Sequence, residues 1–207
     1  HDFEVAMGGA TSEEVGDVLG SGKFGMVRET AEHMNGAINK TLRTGIGLGE
    51  ALGQSIVEGG SLFPFENVSI LSQAWKRKIP VTVHVAVGTD TIHAHPSASG
   101  EALGSASFHD FRLFSSIVRD LHGGGVYLNV GSAVLMPEVF LKAVSVVRNL
   151  GHNLEEFTTA NLDFIQHYRP TQNVLKRPTQ ESGQSIALTG HHEIMVPLIA
   201  AALKAST

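Results

Sequence analysis

The chain has 207 residues, 42% of them apolar and 17% charged, which suits an ordinary globular protein with one substantial core. Its 15 Lys plus Arg and net charge of −5 provide no basic stripe, which argues against nucleic acid as a partner. No apolar run reaches the length of a membrane span, and zero cysteines exclude disulfides, thiolate zinc sites and a cysteine nucleophile. The opening His1-Asp2-Phe3-Glu4-Val5 carries no initiator methionine and no signal-peptide pattern. It is expected to belong to an excerpt lacking its upstream part, with residues 1–207 forming a single domain and the cytoplasm as the default compartment.

Thr11-Ser12-Glu13-Glu14 has capping-box spacing and predicts a short helix ending near Gly20 to Gly22, followed by a loop with Phe24 and Gly25. Val27 to Leu42 and Leu48 to Val57 read as helices, and Val68, Leu71 and Trp75 as the apolar face of another that ends in Lys76-Arg77-Lys78. From Pro80, Val81, Val83, Val85 and Val87 alternate like a strand that breaks at Gly88-Thr89-Asp90. Phe108 to Leu121 is predicted helical, Gly125 to Val130 a buried strand, and Met136 to Leu150 a helix. Phe157 to Ala160 and Ile186 to Leu188 read as strands and Ile194 to Lys204 as a helix. This alternation predicts an α/β fold with a largely parallel sheet flanked by helices. Residues 167 to 185 lack clear periodicity and read as a long functional loop.

In such a fold ligands bind beyond the carboxyl ends of the strands. Polar residues collect there: Thr89, Asp90, His93 and His95, then Asn129 and Ser132, then Asn161 and Asp163, and last His191, His192 and Glu193. An acid at such an edge accepts hydrogen bonds from ribose hydroxyls, and imidazole shuttles protons or binds metal. The i, i+2 spacing of His93 and His95, with Asp90 nearby, also admits a metal-dependent hydrolase. Asp2 and Glu4 read as part of a solvated terminus.

Taken in order, several segments resemble the deoxyhypusine synthase superfamily from about Asp2 to Leu203. These are Ile79-Pro80-Val81 leading to Asp90-Thr91-Ile92, Asp110-Phe111-Arg112-Leu113, Gly123-Gly124-Gly125-Val126, Thr159-Ala160, Arg169-Pro170 and Val196-Pro197-Leu198. The resemblance implies a Rossmann-like NAD-binding fold, a homotetramer and contacts from Asp90, Gly124, Thr159 and Ala160 to NAD or an amine substrate. It places His191 and His192 where the family has an Asp-Ala pair at its cofactor. Asn129 falls on the family's catalytic histidine, and Pro178 on its nucleophilic lysine. Lys176, two positions early, is the candidate substitute.

The expected function is therefore a divergent NAD-dependent transferase or oxidoreductase acting on a polyamine or related amine, with a small amine or a protein lysine as acceptor. Lys176, Asn129 and His191 are its candidate catalytic residues. Asp90, Gly124, Thr159, Ala160 and His192 are the candidate cofactor contacts. Two alternatives stand beside it: the hydrolase using Asp90, His93 and His95, and a non-catalytic nucleotide-binding or assembly module.

Overall fold

A computed structural model describes residues 1–11 and 27–206. The helix predicted from Thr11 and the loop with Phe24 and Gly25 fall largely outside the described residues. The chain forms two compact units, His1–Arg112 and Leu113–Thr207.

The first unit is helical: α1 (Asp2–Gly8), α2 (Arg28–Thr44), α3 (Leu48–Glu58), α4 (Ile70–Arg77) and the greater part of α5 (Gly100–Arg119). Ile38, Leu48, Leu52 and Ile56 supply the buried stripes of α2 and α3, at the spacing an amphipathic helix requires. Phe3 of α1 meets Phe63 edge-on with ring centroids 5.0 Å apart, which closes the core. Asp2 and Glu4 are thus not part of a solvated terminus. The Asp2 carboxylate accepts from the N–H groups of Ile70 (2.8 Å) and Leu71 (3.1 Å) and from Ser69 Oγ (2.7 Å), so α1 caps α4.

The run Val81 to Val87, predicted as a strand, forms none among the described residues, and Val87 already lies in a turn. Its backbone bonds go to side chains of α5: Val83 N–H donates to Asp110 Oδ2 (2.8 Å) and Val85 N–H to Ser107 Oγ (3.4 Å). The strand predicted from the alternation is not formed, and side chains of a helix rather than a neighbouring strand satisfy these two donors.

The second unit contains the sheet, three parallel strands in the order β1 (Val126–Val130), β2 (Thr158–Asp163), β3 (Gln184–Thr189). Between them lie α6 (Leu135–Asn149) and a helical turn, α7 (Tyr168–Pro170), that runs into a π-helical turn over Thr171–Lys176; α8 (His192–Ser206) follows β3. The long loop predicted over 167 to 185 is thus partly helical, with Val174 and Leu175 buried.

Register pairs Tyr127 with Thr159 and Asn129 with Asn161, which puts these four side chains on one face. The Tyr127 ring stacks on Phe140 of α6 at 3.7 Å, and Phe140 is fully buried. The opposite face of β1 differs from the sequence-based expectation of a buried strand: Val126, Leu128 and Val130 are 58%, 46% and 46% exposed. No helix of the chain is long and apolar enough to cross a membrane, among the described residues.

Candidate functional site

The strands of the second unit end in a chain of neutral amides. Asn129, near the end of β1, donates through Nδ2 to Asn161 Oδ1 on β2 (2.7 Å) and to the Ser132 carbonyl (2.9 Å). Asn161 Nδ2 donates to Gln166 Oε1 (2.7 Å), and Gln166 Nε2 reaches the Leu188 carbonyl and Thr189 Oγ1 on β3, both at 3.2 Å. Three amides therefore tie all three strands together at the carboxyl edge. Both Asn129 and Asn161 are buried, and Asn129 Oδ1 has no hydrogen-bond partner within the described residues. A buried acceptor of this kind carries a desolvation cost that a donor would relieve.

Two histidines follow β3 at the same edge. His192 Nε2 donates to the Leu162 carbonyl (3.1 Å), which also accepts from Gly131 N–H (3.0 Å), and this leaves Nδ1 as the acceptor nitrogen of the neutral ring. Gly131 adopts φ 66°, and a Cβ there would lie 3.2 Å from His192 Cε1. His191 stacks on Phe164 with centroids 4.6 Å apart. The adjacent residues thus face different surroundings. Asp163 closes β2, and its Oδ1 lies 3.5 Å from Ile165 N–H.

The structure does not gather all the sequence-predicted residues here. Gly123 and Gly124, with φ 78° and 117°, form the turn from α5 into β1. They lie at the amino edge, separated from Asn129 by an extended strand on the order of 15 Å long. A Cβ at Gly124 would meet nothing within 4 Å, so positive φ, rather than close packing, accounts for glycine at this position. Thr159 and Ala160 lie within β2, both buried and on opposite faces. Thr159 Oγ1 is another buried atom with no hydrogen-bond partner among the described residues.

Lys176 is exposed at the end of the π-helical turn. Two residues later, the Pro178 carbonyl accepts from Arg148 Nη2 (2.8 Å), which also binds the Leu154 carbonyl before β2 (3.2 Å). Lys176 therefore lies toward the amino edge, away from Asn129 and His192, without the desolvation a nucleophilic lysine needs. The fold therefore does not bring Lys176 together with Asn129 and His191 within one chain.

Asp90, His93 and His95 belong to the first unit and are engaged in local capping. Asp90 Oδ1 accepts from Ile92 N–H (3.3 Å), His93 Nδ1 from Gly88 and Asp90 N–H (3.0 and 3.3 Å), and His95 Nδ1 from Ser97 N–H (3.2 Å). Among the described residues no three His, Asp or Glu side chains are grouped to hold a metal ion. The hydrolase alternative finds no such grouping among the described residues: i, i+2 spacing placed the imidazoles near each other in sequence, but Nδ1 of each ring is used by its own turn.

Asp110 is a second buried polar centre, in the first unit. Its Oδ2 accepts from Gly49 N–H (3.0 Å) at the start of α3 and from Val83 N–H (2.8 Å). Its Oδ1 and His109 Nδ1, 3.9 Å apart, are both buried without a hydrogen-bond partner among the described residues. Burial pushes the Asp110 carboxyl above its ordinary range, against the opposing effect of the Val83 and Gly49 N–H groups and of His109 and His84. Burial holds His84 below the usual imidazole value, with Asp110 acting in the other direction. The pattern Asp-x-Arg-Leu drew attention to this residue; its position shows a carboxylate that fastens α3 and the 81–85 segment to α5.

Gln166 and Thr189 were not singled out by sequence reasoning. Neither lies in a motif, and only the pairing of β2 with β3 brings them to the amides. Comparison of the chain with protein-family models, with curated proteins and with solved structures gives no match.

Proposed function

We propose that the second unit is a Rossmann-like nucleotide-binding unit holding NAD across the carboxyl edge of its sheet. The observation that carries this reading is Asp163, the last residue of β2 in a parallel β1-α6-β2 arrangement. In dinucleotide-binding units, an acid at this point accepts from ribose hydroxyls. The small-residue turn Gly131-Ser132-Ala133 leads into α6, and Asn129 Oδ1 offers an acceptor suited to the N–H groups of a carboxamide or aminopurine. When bound, NAD supplies a hydride acceptor. The resemblance in the sequence extends the proposal to an amine as hydride donor, while the place of Lys176 favours no covalent transfer through that residue. The neutral amides orient the ligand, and His192 offers Nδ1 as an acceptor.

Titration calorimetry with NAD tests the reading. The wild-type chain is expected to bind, and Asp163→Asn to weaken binding by about tenfold or more through loss of a charge-assisted hydrogen bond. The circular dichroism spectrum should stay unchanged. Absence of NAD binding in the wild type, or equal affinity in the variant, overturns the proposal.

A further inference from the structure

The buried polar centre of the first unit leads to a second inference, independent of the nucleotide reading. Asp110 is fully buried, yet its two carboxylate oxygens are held differently. Oδ2 accepts from Gly49 N–H (3.0 Å) and Val83 N–H (2.8 Å), whereas Oδ1 has no hydrogen-bond partner among the described residues. His109 Nδ1 lies 3.9 Å from Oδ1 and is likewise buried and unpartnered. A Cβ at position 47 would fall 1.7 Å from Oδ1 and 3.0 Å from Nδ1, so glycine there leaves both atoms their place.

Two lone pairs that face each other away from water repel unless a proton lies between them. Imidazole is a stronger base than a carboxylate, so that proton belongs on Nδ1. Closing the gap by about 1 Å then gives a charge-assisted hydrogen bond. In the neutral ring this leaves the lone pair on Nε2. The ring is 43% exposed with Nδ1 on its inner side, and Nε2 is neither bonded nor buried among the described residues. His84, the other imidazole beside Asp110, has its own Nε2 bound to Thr82 Oγ1 (3.0 Å).

We infer that His109 and Asp110 form a nucleophilic site: the buried carboxylate fixes the Nδ1–H tautomer, and the outward Nε2 takes an acyl group from an activated ester or anhydride. The Nε2 lone pair forms the bond to the acyl carbon, and the leaving oxyanion departs with the electrons of the broken C–O bond. The ring becomes cationic, and Asp110 compensates that charge through Nδ1–H. Water then carries the acyl group off as the carboxylic acid, its second proton neutralises the leaving group, and Nε2 regains its lone pair. A neutral acyl carbon suits this site better than a phosphoryl group. The carboxylate behind the ring repels an anion, and Arg112, one turn along α5, holds its guanidinium 4.4 Å over the Phe108 ring.

Asp110→Asn tests the inference, because the orientation of the new amide is dictated. Gly49 and Val83 N–H require its oxygen at the place of Oδ2, which turns the amide N–H groups toward His109 Nδ1 and makes that nitrogen an acceptor. The proton of the neutral ring then moves to Nε2. Long-range proton–nitrogen NMR of the full chain reads both tautomers, with His109→Gln assigning the signals. The wild type is expected to carry the proton on Nδ1 and Asp110→Asn on Nε2. Diethyl pyrocarbonate, followed by mass spectrometry of each histidine peptide, should acylate His109 faster than the more exposed His152. In Asp110→Asn the rate at His109 should fall roughly tenfold or more, with His152 unchanged. The wild-type tautomer and the comparison with His152 decide the matter even if Asp110→Asn does not fold. A wild-type ring protonated on Nε2, a tautomer that Asp110→Asn leaves unchanged, or acylation of His109 no faster than that of His152 would each overturn the inference.

Discussion

Asp110→Ala is expected to destabilise the first unit by about 3 kcal/mol in urea unfolding, since it strips a buried and a half-buried N–H donor of their shared acceptor. The donors are Gly49 N–H at the start of α3 and Val83 N–H in the 81–85 segment. Relief of the buried carboxyl partly offsets the loss, which keeps the figure below the sum of two orphaned donors. Asp110→Asn retains an acceptor oxygen and should cost less than half as much.

The pH dependence separates the two substitutions. A carboxyl whose folded pKa is raised contributes most to stability below its unfolded pKa, and this contribution is lost as pH rises through the folded value. The wild type should therefore lose stability relative to Asp110→Asn across that acidic window. His84, held low, acts in the opposite sense: its contribution is present above the ordinary imidazole value and lost as pH falls through the folded one. It affects both proteins, apart from its coupling to Asp110. Equal pH profiles for the wild type and Asp110→Asn would show that the carboxyl is not the titrating group.

Asn161→Ala should have a comparable effect in the second unit. The change leaves Asn129 Nδ2 without one of its two acceptors and Gln166 Oε1 without its donor. Because Asn161 is fully buried, water does not readily substitute, and a loss of about 2–3 kcal/mol is expected. For a unit of this size that corresponds to a fall in Tm on the order of 10 °C, readable by far-ultraviolet circular dichroism. NAD affinity, measured below the new Tm, should fall as the carboxyl edge loosens. A Tm within a degree or two of wild type would mean that the amide chain carries little of the sheet's stability.

The sequence disclosed periodicity better than adjacency. Apolar spacing marked α2, α3 and α6 to within a few residues, and the β-rich runs near Gly125, Phe157 and Ile186 marked three strands that prove parallel. Alternation also predicted a strand over Val81 to Val87, which is not formed. It carries no information on what the backbone pairs with, and here side chains of α5 accept the bonds. The capping role of Asp2 was likewise hidden, because its recipients lie 67 to 69 residues downstream.

At the candidate site, Asn129, Ser132, Asn161 and Asp163 were legible as polar residues at strand ends. Gly124 was legible only as a glycine: its sequence position before β1, read with the fold, places it at the opposite edge from the residues it was grouped with. Lys176 was selected by its offset from an Arg-Pro pair, and offset along the chain does not encode the return path of a helical segment toward the amino edge. Gln166 joins the amide chain solely through the fold.

The stack of Tyr127 on Phe140 divides the chain's two phenols into distinct chromophores. Burial raises the Tyr127 hydroxyl well above the ordinary phenol range, whereas Tyr168 is 72% exposed. Alkaline titration of the folded chain followed by ultraviolet absorbance should therefore leave the Tyr127 phenol protonated. Its tyrosinate appears only when α6 leaves the sheet, so Tyr127 serves as a built-in optical reporter of that packing.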